Sequence, residues 1–450
     1  MTMLLPPASA RIPRPPGPSS ASLLTAVALG GQHLTTFFDR AARRHPRIPH
    51  LRLGPEHVYL LNSPDLVHEV LVRQARSTMK GRAIQATRQL LGNGLLTSEG
   101  EAHRTSRRLL QPAFSSRRIT TYAEDMRTLT LELSDAWARG SRTVDMSAQM
   151  STLTLQIVGR ALFGRDLLPE SNEVSTALGQ AMASFRRAVL PGGRVLFRLP
   201  LPSSRRAFAA RDRLDGVVRR TIAERRATST AGARPDVLSV LLQSGMSEEQ
   251  VRDEVMTLLL AGHETTATAL TWAWVLLARH PSEGATLRAR LATSSAITAE
   301  PFATAVIAET MRLRPPAWLM GRRLTADVDV DGWHLPAGSL AVASQWVLHR
   351  DERLWPQARQ FRPVRWLDSD GHFDEHAPGQ PRGAWFPFGL GHRSCIGEHF
   401  AWSEAVLVLS TLASRWSPTM LTTAEVKIRP AVTLRPAGPV LMRLEEVSYA

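Results

Sequence analysis

Ser247-Glu248-Glu249-Gln250 has the form of a helix capping box, and no helix breaker follows until His280-Pro281. The pattern predicts one helix of roughly 45–50 Å at 1.5 Å per residue. A helix that long crosses a whole domain and is buried at its centre. Leu258 to Leu270 is apolar or small apart from His263, Glu264 and the threonines, which agrees. Upstream, a strand-like region around Leu51–Leu61 is broken by Gly54-Pro55, and Asp65 to about Ile222 is mostly helical in period. Arg225–Pro235 reads as a loop. Pro301–Leu313 is predicted helical and stops at Pro315-Pro316. Strands follow over Arg322–Val330, with a turn at Asp331-Gly332 and a further signal at His334–Gly338. Leu367–Phe388 is irregular, a helix begins near Ile396, and strands close the chain around Thr433 and Val440–Arg443. The expected class is mainly α with small β-sheets. Residues 1–20 form a proline-rich, disordered or extended arm, and residues 21–450 form one large helical domain.

Composition narrows the class. The chain of 450 residues is 43% hydrophobic, enough for a substantial core, and no apolar run approaches the roughly 20 residues that span a bilayer. Leu23–Leu29 is too short for an anchor, so no membrane anchor is expected and a cytoplasmic location is. A single cysteine fits a reducing compartment. The net charge is +15, almost all of the positive charge being arginine, with Lys80 and Lys427 the only lysines. No helix-turn-helix, zinc-finger or RNA-binding signature accompanies that charge, so nucleic acid is not the expected partner. An acidic protein partner suits it better.

Cys395 lies in Phe388-Gly389-Leu390-Gly391-His392-Arg393-Ser394-Cys395-Ile396-Gly397. A lone thiol forms no internal disulfide and no multi-cysteine zinc site, but it can be one soft ligand to a metal held by something else. Gly391 and Gly397 let the backbone take unusual angles and come close to a flat ligand, and Arg393 offers a forked cation to a carboxylate. Ala261-Gly262-His263-Glu264-Thr265-Thr266 puts an acid and hydroxyls at the centre of the long helix, where they are costly unless used or satisfied. A mid-helix threonine often bonds back one turn and bends the helix, which is the bland alternative. Gly262 removes bulk where a ligand could approach. Glu309 and Arg312 share one helix face, and Phe361-Arg362-Pro363-Val364-Arg365-Trp366 follows downstream. His103 and Arg107 lie one helical turn apart.

These segments resemble the cytochrome P450 family. Phe388, Gly391, Arg393, Cys395 and Gly397 match its haem loop, F-x-x-G-x-R-x-C-x-G. The long-helix centre is similar to its A/G-G-x-D/E-T-T motif, Glu309–Arg312 to its E-x-x-R, and the Phe361 segment to its F-x-P-x-R-W/F. The likeness runs from about Arg43 to the C-terminus, with Glu264 in place of the commoner Asp and His103 in place of Trp. It implies the P450 fold, with haem b bound by Cys395 as axial iron ligand and the long helix crossing the distal side. It implies that His103, Arg107, Arg322 and Arg393 bind the haem propionates. Thr265 would hydrogen-bond dioxygen, the co-substrate, and Glu264 would help relay protons. Glu309, Arg312 and Arg365 would form a buried structural triad, and His263 would face away from the haem.

The implied activity is oxygenation of a hydrophobic small molecule, with electrons from a separate ferredoxin or flavodoxin and its NAD(P)H-dependent reductase. A monomer is expected. The expected pocket comprises Ala261, Gly262, Ala317, Trp318, Leu319, Met320, Val432 and Thr433, flanked by the loop before His103 and by Phe185–Phe208; its apolar lining suits an apolar substrate. The segments Arg198–Pro202 with Arg205-Arg206, and Leu313–Trp318, resemble bacterial sesquiterpene-oxidising P450s of actinobacterial type. Macrolide-type polyketides and fatty acids are the alternatives. Glu264-Thr265 argues against a peroxide-driven peroxygenase, and a haem-thiolate sensor or carrier would need no proton relay.

Overall fold

The computed structural model describes residues 13–189, 201–227, 236–294, 299–377 and 379–447. The main helices are α1 (Ser20–Leu29), α2 (Gln32–Arg44), α3 (Arg82–Leu91), α4 (Gly100–Leu110), α5 (Ser116–Arg139), α6 (Met146–Phe163), α7 (Ser171–Val189), α8 (Pro202–Ala227), α9 (Glu248–Arg279), α10 (Pro301–Leu313) and α11 (Glu398–Ala413). The strands are β1 (His50–Leu53), β2 (Glu56–Leu61), β3 (Thr78–Lys80), β4 (Thr143–Asp145), β5 (Met320–Leu324), β6 (Val328–Val330), β7 (Trp333–Leu335), β8 (Leu340–Ala343), β9 (Trp416–Met420), β10 (Ile428–Pro430), β11 (Leu434–Pro436) and β12 (Leu441–Glu446). Helices dominate, as the periodicity predicts. No described helix is long and apolar enough to cross a membrane.

α9 is the axis of the molecule. Ser247 Oγ accepts from Gln250 N–H and Gln250 Oε1 accepts from Ser247 N–H, so both halves of the capping box form. The helix runs unbroken for 32 residues and is buried continuously from Thr266 to Leu277. α6 lies against it so closely that a Cβ on Gly262 would come within 3.1 Å of Val158. On the far flank Trp137 packs edge-on against Trp274 and Trp416.

The largest sheet has the order β1-β2-β8-β5-β3, with β2 and β8 parallel and the other pairs antiparallel. Its register places Lys80 directly across from Arg322. The left-handed turn at Asp331-Gly332 joins β6 to β7. β4, β12 and β9 form a second sheet, and β10–β11 is a separate hairpin. Strands β4 and β9 have no counterpart in the sequence reading: each is short and owes its conformation to pairing with the distant β12.

The N-terminal arm is only partly as expected. Residues 13–19 are extended but docked: His50 N–H donates to Pro16 O (3.2 Å), and a Cβ on Gly17 would lie 1.8 Å from His50 O. Residues 1–12 lie outside the described residues, as do most of the loop expected over Arg225–Pro235 and much of Phe185–Phe208.

Candidate functional site

The cysteine loop is shaped by backbone angles that its glycines supply. Gly389 and Gly391 have φ of 79° and 72°, values that side chains disfavour, and a Cβ on Gly391 would sit 2.9 Å from Leu71 O. Cys395 N–H donates to Phe388 O (2.8 Å), closing the loop ahead of α11, and Phe388 packs on Trp402 of that helix. The Cys395 side chain is exposed, yet the surrounding protein pushes its thiol up to about 11. A group both open and surrounded lines a recess within the molecule. Gly397 N–H, directed at the sulfur, favours the thiolate instead. Gly397 has an ordinary negative φ of −91°, and a Cβ there would make only van der Waals contacts, 3.8 Å to Phe114 and 4.0 Å to Sγ. The protein itself makes no demand for glycine at that position, and the absence of a side chain there keeps the space beside Sγ open.

One wall of the site is a cluster of cations. Arg107 Nη1 donates to Ser394 O (2.8 Å), beside the cysteine. Arg393 pairs with Glu99 at 2.6 Å, and Arg322, facing Arg393, donates only to Gly321 O among its described bonds. Burial, then Arg393, lowers the Arg322 guanidinium to about 10. His103 is buried in α4 and held near 4 by burial and then by Lys80, Arg393 and Arg107, so it is neutral. The four residues expected to meet the propionates therefore converge, with Glu99 the carboxylate that pairs with Arg393. An excess of buried cations is costly alone and fits a ligand that brings two carboxylates. Haem fits both the cluster and the thiol.

Lys80 is the member that sequence reasoning missed. Its ammonium donates to Leu95 O (2.8 Å) and Ser98 O (2.6 Å), and burial lowers it to about 7. Its signal was present: it is one of two lysines in an arginine-rich chain. The loop of residues 92–99 that it holds is also pinned to α9, through Asn93 N–H to Asp253 (2.6 Å) and Leu95 N–H to Glu254 (2.9 Å).

Behind the cysteine loop, Arg312 grips Glu309 with two bonds of 2.7 and 2.8 Å. Arg365 Nε (3.1 Å), Arg362 N–H (2.9 Å) and Trp366 Nε1 (3.0 Å) complete the carboxylate's partners. Arg312 also donates to His349 O, Ala358 O and Gln360 O. The expected triad is thus the centre of a larger saturated network, with Glu309 and Arg312 fully buried. His349 connects it to the cysteine loop. Burial lowers this imidazole to about 3, and its Nε2 accepts from Phe386 N–H (3.1 Å), two residues before Phe388.

On α9, Thr265 Oγ1 donates to Ala261 O (2.6 Å), the back-bond raised by its mid-helix position, and keeps its oxygen lone pairs as acceptors. Glu264 Oε1 accepts from Thr433 Oγ1 (2.8 Å) and lies 3.6 Å from Arg435 Nη1. His263 turns away from that side, with Nε2 2.9 Å from Ser151 Oγ on α6.

The expected pocket residues divide. Ala261 is exposed, and Ala317, Leu319, Met320 and Val432 are partly open. Three others do different work. Gly262 serves the contact with Val158 rather than open space. Trp318 is buried, packs on Phe38 and donates to Ala431 O (3.0 Å), so it anchors the hairpin. Thr433 is buried and spends its hydroxyl on Glu264.

Comparison with known proteins agrees with this geometry. The family model described as Cytochrome P450 matches residues 15–442. The chain is 40% identical over 415 residues to cyclooctatin synthase of Streptomyces melanosporofaciens, covering 88% of each protein. It is 34% identical over 391 residues to cyclooctat-9-en-7-ol 5-monooxygenase of the same organism, covering 83% of this chain and 82% of the relative. It is 31% identical over 411 residues to pentalenene oxygenase of Streptomyces avermitilis, covering 87% and 88%. With its exposed thiol, cation wall and acid–threonine pair in one fold, the chain belongs to the cytochrome P450 family and is a haem-thiolate monooxygenase.

Proposed function

We propose that this P450 oxygenates a cyclic terpenoid, a hydrocarbon or a simple alcohol, in bacterial secondary metabolism. The observation that carries the reading is the lining. Ala261, Ala317, Leu319, Met320 and Val432 offer apolar surface, and the nearby ions, Glu264 and Arg435, are engaged with each other. An apolar ring system needs no charged anchor, whereas a fatty acid carboxylate does. The relatives named for oxidising pentalenene and cyclooctat-9-en-7-ol support the same class.

Residues 21–450 act as one haem domain in this reading. Cys395 would ligate the iron, Gly397 N–H would steady its sulfur, and Arg107, Arg322 and Arg393, with His103 beside them, would hold the propionates. Haem b supplies the O–O cleavage and oxygen insertion, favoured by thiolate donation. The chain orients the substrate, excludes water and handles protons. Glu264 takes up and releases a proton at its carboxylate, and Thr265 Oγ1, already donating to Ala261 O, accepts a hydrogen bond on its free lone pairs. Electrons come from a ferredoxin or flavodoxin with its NAD(P)H-dependent reductase. Arg108 and Arg117, exposed and near Arg107 along the chain, suit an acidic donor. The enzyme works as a cytoplasmic monomer.

The test is a spin-state titration of purified ferric holoenzyme, following the Soret band with pentalenene, other cyclic terpenoids, macrolactones and fatty acids in parallel. A saturable shift to high spin with terpenoids alone is the expected result. A shift confined to macrolactones or fatty acids would discard the terpenoid reading.

A further inference from the structure

The β10–β11 hairpin carries an arginine into contact with the proton-handling carboxylate. Arg435 Nη1 lies 3.6 Å from Glu264 Oε1, the same oxygen that accepts from Thr433 Oγ1 at 2.8 Å. Both ions are mostly shielded, with side chains 23% and 13% exposed, so their attraction is damped less than that of a surface pair. Across the hairpin Arg435 is paired in register with Arg429, whose guanidinium turns away to Ala437 O (3.1 Å).

The hairpin is not free to drift from α9. Trp272 Nε1 of α9 donates to Leu434 O (2.7 Å), Leu434 N–H donates to Pro316 O (3.0 Å), and Trp318 Nε1 donates to Ala431 O (3.0 Å). These bonds fix the backbone on both sides of Val432 and Thr433. The clamp on Glu264 therefore has a defined position relative to the helix that carries the acid.

We propose that Arg435 is a positioning residue for proton delivery: with Thr433 it holds Glu264 by Oε1, fixed in orientation, and leaves Oε2 as the oxygen that exchanges protons. The inference rests on the reading of Glu264 and Thr265 as the proton path. Neutralising Arg435 removes the charge that orients the acid while leaving the thiol, the cation wall and the apolar lining in place.

Proton delivery can be read without a substrate, from how oxygen is reduced by the holoenzyme with NADPH and a surrogate ferredoxin and reductase. Two electrons and two protons turn O2 into H2O2; four of each turn it into two waters. NADPH consumed per O2 is therefore one for peroxide and two for water. Arg435→Gln is expected to lower the water-to-peroxide ratio at least about twofold, as Glu264→Gln does. Arg435→Lys should retain most of the parent ratio, and the double variant should be no worse than Glu264→Gln alone. Haem content and the ferrous carbon-monoxide spectrum of Arg435→Gln should match the parent, which separates positioning from a misplaced hairpin. A parent-like ratio in Arg435→Gln, or an effect that adds to that of Glu264→Gln, would overturn the inference while leaving the proton path intact. An unchanged ratio in Glu264→Gln would overturn the proton path and the inference together.

Discussion

Glu404 shows how far a single side chain can be pushed by its surroundings. It is fully buried on α11 and faces the Thr266 hydroxyl of α9, which lowers it less than burial raises it. Burial raises it to about 8. A carboxyl whose folded value exceeds its unfolded one binds more protons when folded, so stability falls as pH rises from about 4.5 through 8. The loss across that window is on the order of 4 kcal/mol, and Glu404→Gln should flatten it. Urea midpoints measured from pH 5 to 8.5 check this; a parallel pH dependence in parent and variant would contradict it. Thr265 is the residue whose removal should spare the structure and harm the chemistry. Thr265→Ala loses one back-bond to Ala261, so haem content should stay normal while reducing equivalents divert to peroxide. Unchanged coupling of electrons to product would remove Thr265 from the proton path.

At the scale of elements, what could be read in the sequence depended on how far apart the partners lie along the chain. The capping box of α9, the turn at Asp331-Gly332 and the left-handed Gly391 are each set by a few neighbouring residues and found where the sequence reading puts them, whereas Gly397, expected to take an unusual angle too, keeps an ordinary φ. The Glu309–Arg312 pair is local too, and its partners Arg365 and Trp366 sit in a segment the resemblance had marked. Arg435, His349 and Glu404 were not legible, because each acquires its role from a chain segment far away in sequence. Nothing local marks Arg435 among so many arginines until the hairpin bonds to Trp272 bring it to Glu264. Trp318 and Gly262 were misread for the same reason: composition cannot say whether an apolar or small residue faces a ligand or a neighbouring helix. The network behind the cysteine loop carries its own expectation. Glu309→Ala would leave Arg312 buried and uncompensated, at a cost of about 3–5 kcal/mol. The expected result is protein that accumulates poorly and holds little haem, measured as the haem-to-protein ratio; full loading would contradict a structural role for the network.

On the scale of the whole molecule, the long buried helix sets the layout. α9 carries the acid–threonine pair, receives the hairpin on one flank and α6 on another, and contacts α11, which starts just after the thiol. The net charge of +15 favours association with an acidic electron donor, so rising salt should raise the KM for ferredoxin several-fold while leaving substrate affinity unchanged. A salt-independent KM would argue for a donor recognised by apolar contact. The central claim, that one exposed thiol beside a wall of cations is built to hold haem iron, is tested most directly by the reduced carbon-monoxide spectrum of the parent and of Cys395→Ser. The parent should give the thiolate-type Soret band and the variant should lose it even where haem is retained; a thiolate-type spectrum in Cys395→Ser would contradict the assignment of Cys395 as the ligand.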